Sequence, residues 1–222
     1  MDYSKALILG LLASDGGFRQ YNSTYFELSR NKKKKYKRTK NVRIIEFTNT
    51  NLVLIKKLRS LLKNCYGYYP NIGVATTGVY RLPVTKSSII DDILSNIVLG
   101  NNSWRVPNNI LHSDKVELKK GFVSGFFDGD GSVDISKSGT PRIRITSTNL
   151  KGLTEIRKLL SDLNIKSSFR GPYLREFRRP EFVIYVPKCG INNFIYNIKS
   201  FHSKKKARFR RIKSNMPGIH TS

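Results

Sequence analysis

The sequence predicts an α+β fold made of two pseudo-symmetric αββαββα units, each carrying a four-stranded antiparallel sheet, and three observations carry that reading. An apolar run with an internal glycine that ends on an acid and a glycine occurs twice, as ALILGLLASDGGF over 6–18 and GFVSGFFDGDGSV over 121–133. The segments behind the two copies follow the same order of strand and helix signals. Short stretches also match residue by residue, T48-N49-T50-N51-L52 with T146-S147-T148-N149-L150 and V84-T85-K86 with V186-P187-K188.

Each element has its own warrant. In the apolar runs Gly10 aligns with Gly125, and Gly10, Ala13, Ser124 and Gly125 are small enough to let a second helix backbone approach closely, so the two runs are expected to pack on each other. Residues 17–30 and 41–49 are rich in aromatic and β-branched residues and read as strands. Between them a turn with seven basic residues from Lys32 to Lys40 is expected. Asn51 or Thr50 is placed to cap a helix over 51–64, where Leu52, Ile55, Leu58, Leu61 and Leu62 recur at helical spacing. Residues 66–84 suggest a second hairpin, broken by Pro70, Gly73 and Gly78, and 87–98 a closing helix. In the second unit strands are expected over 132–137, 141–148, 166–171 and 181–187, with helices over 149–163 and 190–200. The interval from Asp15 to Asn51 is 36 residues, against 19 from Asp130 to Asn149, so the first hairpin carries an insertion of 17. The resulting division is 1–98 for the first unit, 99–118 for a linker, 119–200 for the second unit and 201–222 for a basic tail that is either a helix or a disordered arm.

Composition narrows the partners. Of 222 residues, 41 are Lys or Arg and 15 are Asp or Glu, a net charge of +26 that repels itself unless a polyanion is bound. No basic amphipathic anchor or lipidation signal points to a membrane. The apolar N-terminal run is short, follows an acid at position 2 and leads into Asp-Gly-Gly, so it reads as mature structure rather than a signal peptide, and an intracellular protein is expected. Cys65 and Cys189 have neither disulfide-framework nor zinc spacing, and His112, His202 and His220 form no pairing pattern.

The paired runs resemble the signature helices of the LAGLIDADG homing endonucleases: I8-L9-G10-L11-L12-A13-S14-D15-G16 and V123-S124-G125-F126-F127-D128-G129-D130-G131 fill the nine motif positions. The resemblance implies a single-chain, two-motif monomer whose two sheets form a DNA-binding saddle and in which each copy lends one acid to a shared active site. Asp15 and Asp130 are then the catalytic acids and metal ligands, the backbone around position 14 being left open as a further ligand. It also implies Lys86 and Lys188 as basic residues, with Asn49 and Ser147 as polar residues, near the scissile phosphates. The sixth motif position, often acidic, is Ala13 in one copy and Asp128 in the other, so Asp128 reads as a hydrogen-bonding residue at a helix end.

An acid at the C-terminal end of a helix meets the negative end of its dipole, and two brought together demand a cation. Mg2+ is the expected cofactor, with Mn2+ able to substitute and Ca2+ binding without supporting cleavage. Double-stranded DNA with a long target site is the expected partner. In the second unit Arg142, Arg144 and Thr146 fall on one strand face and Ile143 and Ile145 on the other. The candidate DNA contacts are Arg19, Arg30, Lys32, Lys33, Lys34, Lys35, Lys37, Arg38, Lys40, Arg43 and Arg81 in the first unit, and Lys137, Arg142, Arg144, Arg170, Arg175, Arg178 and Arg179 in the second. The resemblance implies site-specific double-strand cleavage, one phosphodiester per strand across the minor groove with short 3′ overhangs, in the service of intron mobility. Met1 and the lack of splicing-block sequences favour an intron over an intein origin. The rival reading is an RNA-binding maturase acting on its own intron RNA, since +26 suits RNA as well; a DNA-binding regulator is a second. Retention of both acids speaks against a pure binder.

Overall fold

The computed structural model describes residues 1–28, 35–100, 103–136 and 139–214. The first unit runs α1 (Tyr3–Asp15), β1 (Gly16–Leu28), β2 (Lys35–Asn49), α2 (Leu52–Tyr66), β3 (Gly73–Thr76), β4 (Val79–Val84) and α3 (Ser87–Leu94). A short helix α4 (Asn108–Leu111) precedes the second, which runs α5 (Val116–Asp130), β5 (Gly131–Ile135), β6 (Pro141–Ser147), α6 (Leu150–Asp162), β7 (Ser168–Tyr173), β8 (Glu181–Val186) and α7 (Lys188–Asn197), followed by α8 (Ser203–Ser214). The two sheets have the same antiparallel order, β1-β2-β4-β3 and β5-β6-β8-β7. Their central registers also correspond, Ile45 opposite Val84 and Phe47 opposite Leu82 in one, Ile143 opposite Val186 and Ile145 opposite Ile184 in the other. These eight side chains are buried and face the helices, so repeat, register and core are one pattern.

α1 and α5 form the axis around which both units pack. Both helices are buried almost all round. The glycines explain how closely they approach: a Cβ on Gly10 would lie 2.1 Å from the Phe122 carbonyl oxygen, and one on Gly125 2.3 Å from that of Leu7, backbone against backbone in both cases. Ala13 and Ser124 are buried at the same seam. The Asn residues cap as the repeat predicts. Asn51 accepts from the Leu54 N–H at the start of α2, and Asn149 accepts from the Gly152 N–H at the start of α6.

Three expectations change, and the open choice for the tail is decided as a helix. The lysine turn is shorter than expected, because β2 begins at Lys35 and β1 pairs with it over thirteen positions, from Gly16–Phe47 to Leu28–Lys35. Lys35, Lys37, Arg38 and Lys40 are therefore strand residues on an arm that projects beyond the four-stranded sheet, where ladder hydrogen bonds outweigh charge repulsion between exposed side chains. Of the closing helices, α3 starts as expected but stops early at Leu94, and α7 is shifted to Lys188–Asn197. The stretch 99–118 is not a loose linker: Trp104, Val106, Ile110 and Leu111 are buried, the Val106 N–H donates to Glu155 at 2.8 Å, and the last three residues already belong to α5. Within 201–222, α8 buries Lys205, Phe209 and Ile212, with the Phe209 ring stacked 5.7 Å from that of Phe127. Arg30, Lys32, Lys33, Lys34, Lys137 and His220 lie outside the described residues.

Candidate active site and nucleic-acid interface

α1 and α5 end side by side, and each hands directly to a strand. Asp15 and Asp130 are the last helical residues, and the next residues, Gly16 and Gly131, are already extended. The seam stays close at these ends: a Cβ on Gly129 would lie 2.1 Å from Ser14 Oγ and 2.7 Å from Asp15 Oδ2. The carboxyl of Asp15 thus rests against the last turn of α5. Asn49, at the end of β2, donates to Asp15 Oδ2 at 3.0 Å. Ser147, the corresponding residue at the end of β6, lines a cavity of about 480 Å³ with Ser14, Gly129, Asp130, Thr146 and Thr148.

The electrostatics follow from the packing. Burial, and then the neighbouring Asp15, push Asp130 up to about 8, while burial raises Asp15 against the opposing pull of Asn49 and Lys205. Two carboxyls that share a low-dielectric space cannot both ionise without a compensating cation. The protein supplies one of its own. Lys205 of α8 donates to the carbonyl oxygens of Phe127 and Asp128 at 2.7 Å and of Gly129 at 3.2 Å. It places a positive charge at the negative end of the α5 dipole. Burial lowers Lys205 to about 8, against the attraction of Asp128, Asp15 and Asp130.

Asp128 does a different job. Its carboxylate accepts from Ser200 Oγ and from the N–H groups of Phe201 at 2.8 Å and His202 at 3.4 Å. It is fully buried and committed to the chain between α7 and α8. The motif position that is Ala13 in one copy is in the other a hydrogen-bonding anchor.

The lysines part company with the acids. Lys86 lines a cavity with Met1, Asp2, Ser4 and Lys5 at the start of α1, whereas Asp15 is at its end, about 18 Å away along a helix rising 1.5 Å per residue. Lys188 shares a hollow with Arg142, Arg144, Arg170 and Tyr185 near the start of β6, while Ser147 and the acid cavity are at its end. Strand matching aligned these residues correctly in the repeat, but the direction of their strands carries them away from the helix ends.

The outward faces of both sheets are basic. Alternation with the buried residues sets Arg19, Arg38, Lys40 and Arg81 outward in the first sheet and Arg142, Arg144 and Arg170 outward in the second. Tyr21 and Tyr25 are exposed on the same face of the arm. Several cations are partly neutralised, Arg19 by Glu46 at 2.6 Å, Arg38 by Glu27 at 3.0 Å, Arg175 by Glu181 at 3.2 Å and Arg144 by Asp134. Arg178 is exposed in the β7–β8 turn, and Arg179 beside it is engaged in an interaction of its own. Arg43 is misplaced in the sequence reading: it shares parity with Ile45 and Phe47, turns toward the helices and pairs with Asp91 of α3 at 2.7 Å. Lys35 and Lys37 alternate onto that same side of the projecting arm.

Sequence reasoning missed Lys205, Asn51 and Trp104 as neighbours of the site. A lone lysine in a basic tail carries no signal of its own. The Asn51–Asn149 equivalence, read as helix capping, was the available clue for the asparagines.

Two buried helices crossing at glycines, each ending in an acid that leads into a four-stranded antiparallel sheet, define the single-chain, two-motif LAGLIDADG fold. The chain has this fold, and residues 117–199 match the LAGLIDADG-like domain family. Among solved structures it is similar to the homing endonuclease I-DmoI in complex with DNA and Ca, at 17% identity and a TM-score of 0.63, covering 95% of this chain and 100% of that one. It is similar also to the meganuclease I-SmaMI bound to uncleavable DNA, at 13% identity and a TM-score of 0.54, covering 98% of each chain. I-DmoI has further been crystallised with DNA and Mn, and a single-residue variant of it with target DNA in the presence of Mg. Over 220 residues the chain is 23% identical to the DNA-directed RNA polymerase subunit Rpo1C of Methanocaldococcus jannaschii, covering 97% of this chain and 22% of that protein; the chain spans about a fifth of this relative's length.

Proposed function

We propose that the protein is a divalent-metal-dependent, site-specific double-strand DNA endonuclease that acts as a monomer inside the cell. The observation that carries the proposal is the meeting of Asp15 and Asp130 at two buried helix ends, a costly arrangement that a pure binder of a polyanion has no use for. DNA as the polyanion is supported by the two basic outward faces and by the DNA complexes of I-DmoI and I-SmaMI.

The residues suit a hard, oxygen-binding cation. Among the described residues no cluster of three or more His, Cys, Asp or Glu is present, and Asp128 is engaged elsewhere, so the protein's own carboxyl donors are Asp15 and Asp130. That set suits Mg2+, which keeps water and substrate phosphate oxygens in much of its shell. When bound, such an ion supplies an acidified water and charge stabilisation at the leaving oxygen. The chain does the rest: Asn49 holds Asp15 Oδ2 in one orientation, the glycine crossing fixes the spacing of the two helix ends, and the outward arginines bind phosphate on either side. Ser147 and Thr148 line the hollow beside Asp130 and are placed to hydrogen-bond a phosphate or its water. Lys86 and Lys188 are left as outlying contacts.

Intron mobility belongs to the same proposal, cleavage of an uninterrupted allele being the step that such mobility needs. The test is incubation of the purified protein with the intron-less host allele, with and without Mg2+. Ends on both strands that depend on Mg2+, disappear in Asp15→Asn and in Asp130→Asn, and leave DNA binding within about threefold of the parent are the expected result. Cutting at the parental rate by both variants overturns the assignment, and tight Mg2+-independent binding of intron RNA without cutting would move the protein to the maturase class.

A further inference from the structure

The two segments that follow the last helix of each unit cross over to the other unit and meet equivalent residues. Behind α3, Trp104 accepts through its carbonyl from Asn149 Nδ2 at 2.6 Å, and its ring packs 4.4 Å from that of Phe126 and against Gly152, where a Cβ would come within 2.4 Å of it. Behind α7, Ser203 Oγ accepts from Asn51 Nδ2 at 2.8 Å. Asn51 and Asn149 are counterparts in the repeat, so the chain ties each unit to the other by the same asparagine. The second tie continues inward. The Asn51 N–H donates to Asn49 Oδ1 at 2.7 Å, and Asn49 donates to Asp15 Oδ2. From Lys199 to Lys205 the same strap also holds α5. The Lys199 N–H donates to Ser124 Oγ at 3.1 Å, Ser200, Phe201 and His202 bind Asp128, and the Lys205 ammonium closes the end of α5 on three carbonyls.

We propose that residues 199–205 are a positioning strap for the reaction, with Lys205 as its charged pin, setting Asp15 through Ser203, Asn51 and Asn49 and setting Asp130 through the end of α5. Lys205 touches the backbone of the helix rather than the reacting atoms, so it is a positioning residue. The strap lies behind the second αββαββα unit, which makes the α8 region part of the catalytic apparatus and not an accessory arm. This inference rests on the nuclease reading above.

The experiment uses the full chain, a duplex that the parent cuts, and three variants: Lys205→Met, Lys205→Arg and Ser203→Ala. Lys205→Met is expected to slow single-turnover cleavage by about 100-fold, the usual consequence of an ångström-scale misplacement of catalytic groups, while DNA affinity stays within about threefold. Lys205→Arg, which retains the charge and donors, should recover at least about a tenth of the parental rate. Ser203→Ala removes one exposed hydroxyl, so it folds as the parent does, and should slow cleavage severalfold with affinity unchanged. Hydrogen exchange at the amides of residues 129–131 gives a readout that does not depend on cutting, and in Lys205→Met it should speed up by about tenfold or more. Parental cleavage by both Lys205→Met and Ser203→Ala, or unchanged exchange at the end of α5, overturns the strap. A parent that cuts no DNA overturns the nuclease reading itself, whatever the exchange shows.

Discussion

Gly10→Ala tests the axis of the molecule with one added carbon. The new Cβ would sit 2.1 Å from the Phe122 carbonyl oxygen, 2.9 Å from the Phe126 nitrogen and 3.0 Å from the Phe122 carbonyl carbon. All three atoms belong to the backbone of α5, so no side chain can swing aside, and an ordinary contact requires α1 and α5 to part by about 1 Å. Overpacking of this kind costs roughly 3 kcal/mol, because both helices are already buried almost all round and the separation opens voids along the rest of the seam. The same displacement acts at the helix ends, where it spreads Asp15 from Asp130 and should lower cleavage by about 100-fold in whatever fraction stays folded. Urea unfolding at fixed pH measures the first effect and single-turnover cleavage the second. Gly17→Ala is the matched control for stability, since its Cβ would meet nothing within 4 Å of the protein and should leave the urea transition near parental. A Gly10→Ala protein with stability within about 0.5 kcal/mol of the parent and undiminished cleavage would refute the close-packed seam as the device that sets the acid spacing.

Two further outcomes follow from the same geometry. With Asp130 raised to about 8 in the folded chain against an ordinary unfolded carboxyl near 4, the unfolded state releases its proton first, so the metal-free protein should lose stability as pH climbs from about 4 to 8. Asp130→Asn should flatten that decline and melt at a higher temperature than the parent at pH 8, which thermal scans in chelator would reveal; a parent curve that rises over the window contradicts the assignment. The basic residues should divide by sheet face. Arg142→Ala, on the outward face, should reduce the slope of log affinity against log salt by about 0.9, the share of one phosphate contact, whereas Arg43→Ala should leave the slope alone and cost stability through the loss of its pair with Asp91. Equal slopes for the two would undo the face assignment.

The sequence by itself determined the duplication, and with it most of the architecture. Gly10 and Gly125 could be read as a helix crossing because only small residues let backbones meet, and Asp15 and Asp130 as a converging pair because equivalent motif positions on helices packed at equivalent glycines end together. The alternation of Arg142, Ile143, Arg144 and Ile145 likewise told the outward face of its strand from the inward one, since a strand's side chains obey a period of two. Tertiary structure decided what local pattern does not encode. Arg43 looked like a DNA contact until strand register put it beside Asp91, and Lys86 and Lys188 looked catalytic until the run of their strands took them away from the helix ends. Lys205, one of many basic residues near the C-terminus, gained its place only when α8 folded back onto α5. The physical reason is range: periodicity and capping act over a few residues and are written in neighbouring letters, while the position of a charge opposite a helix end 76 residues away depends on how the entire chain closes on itself.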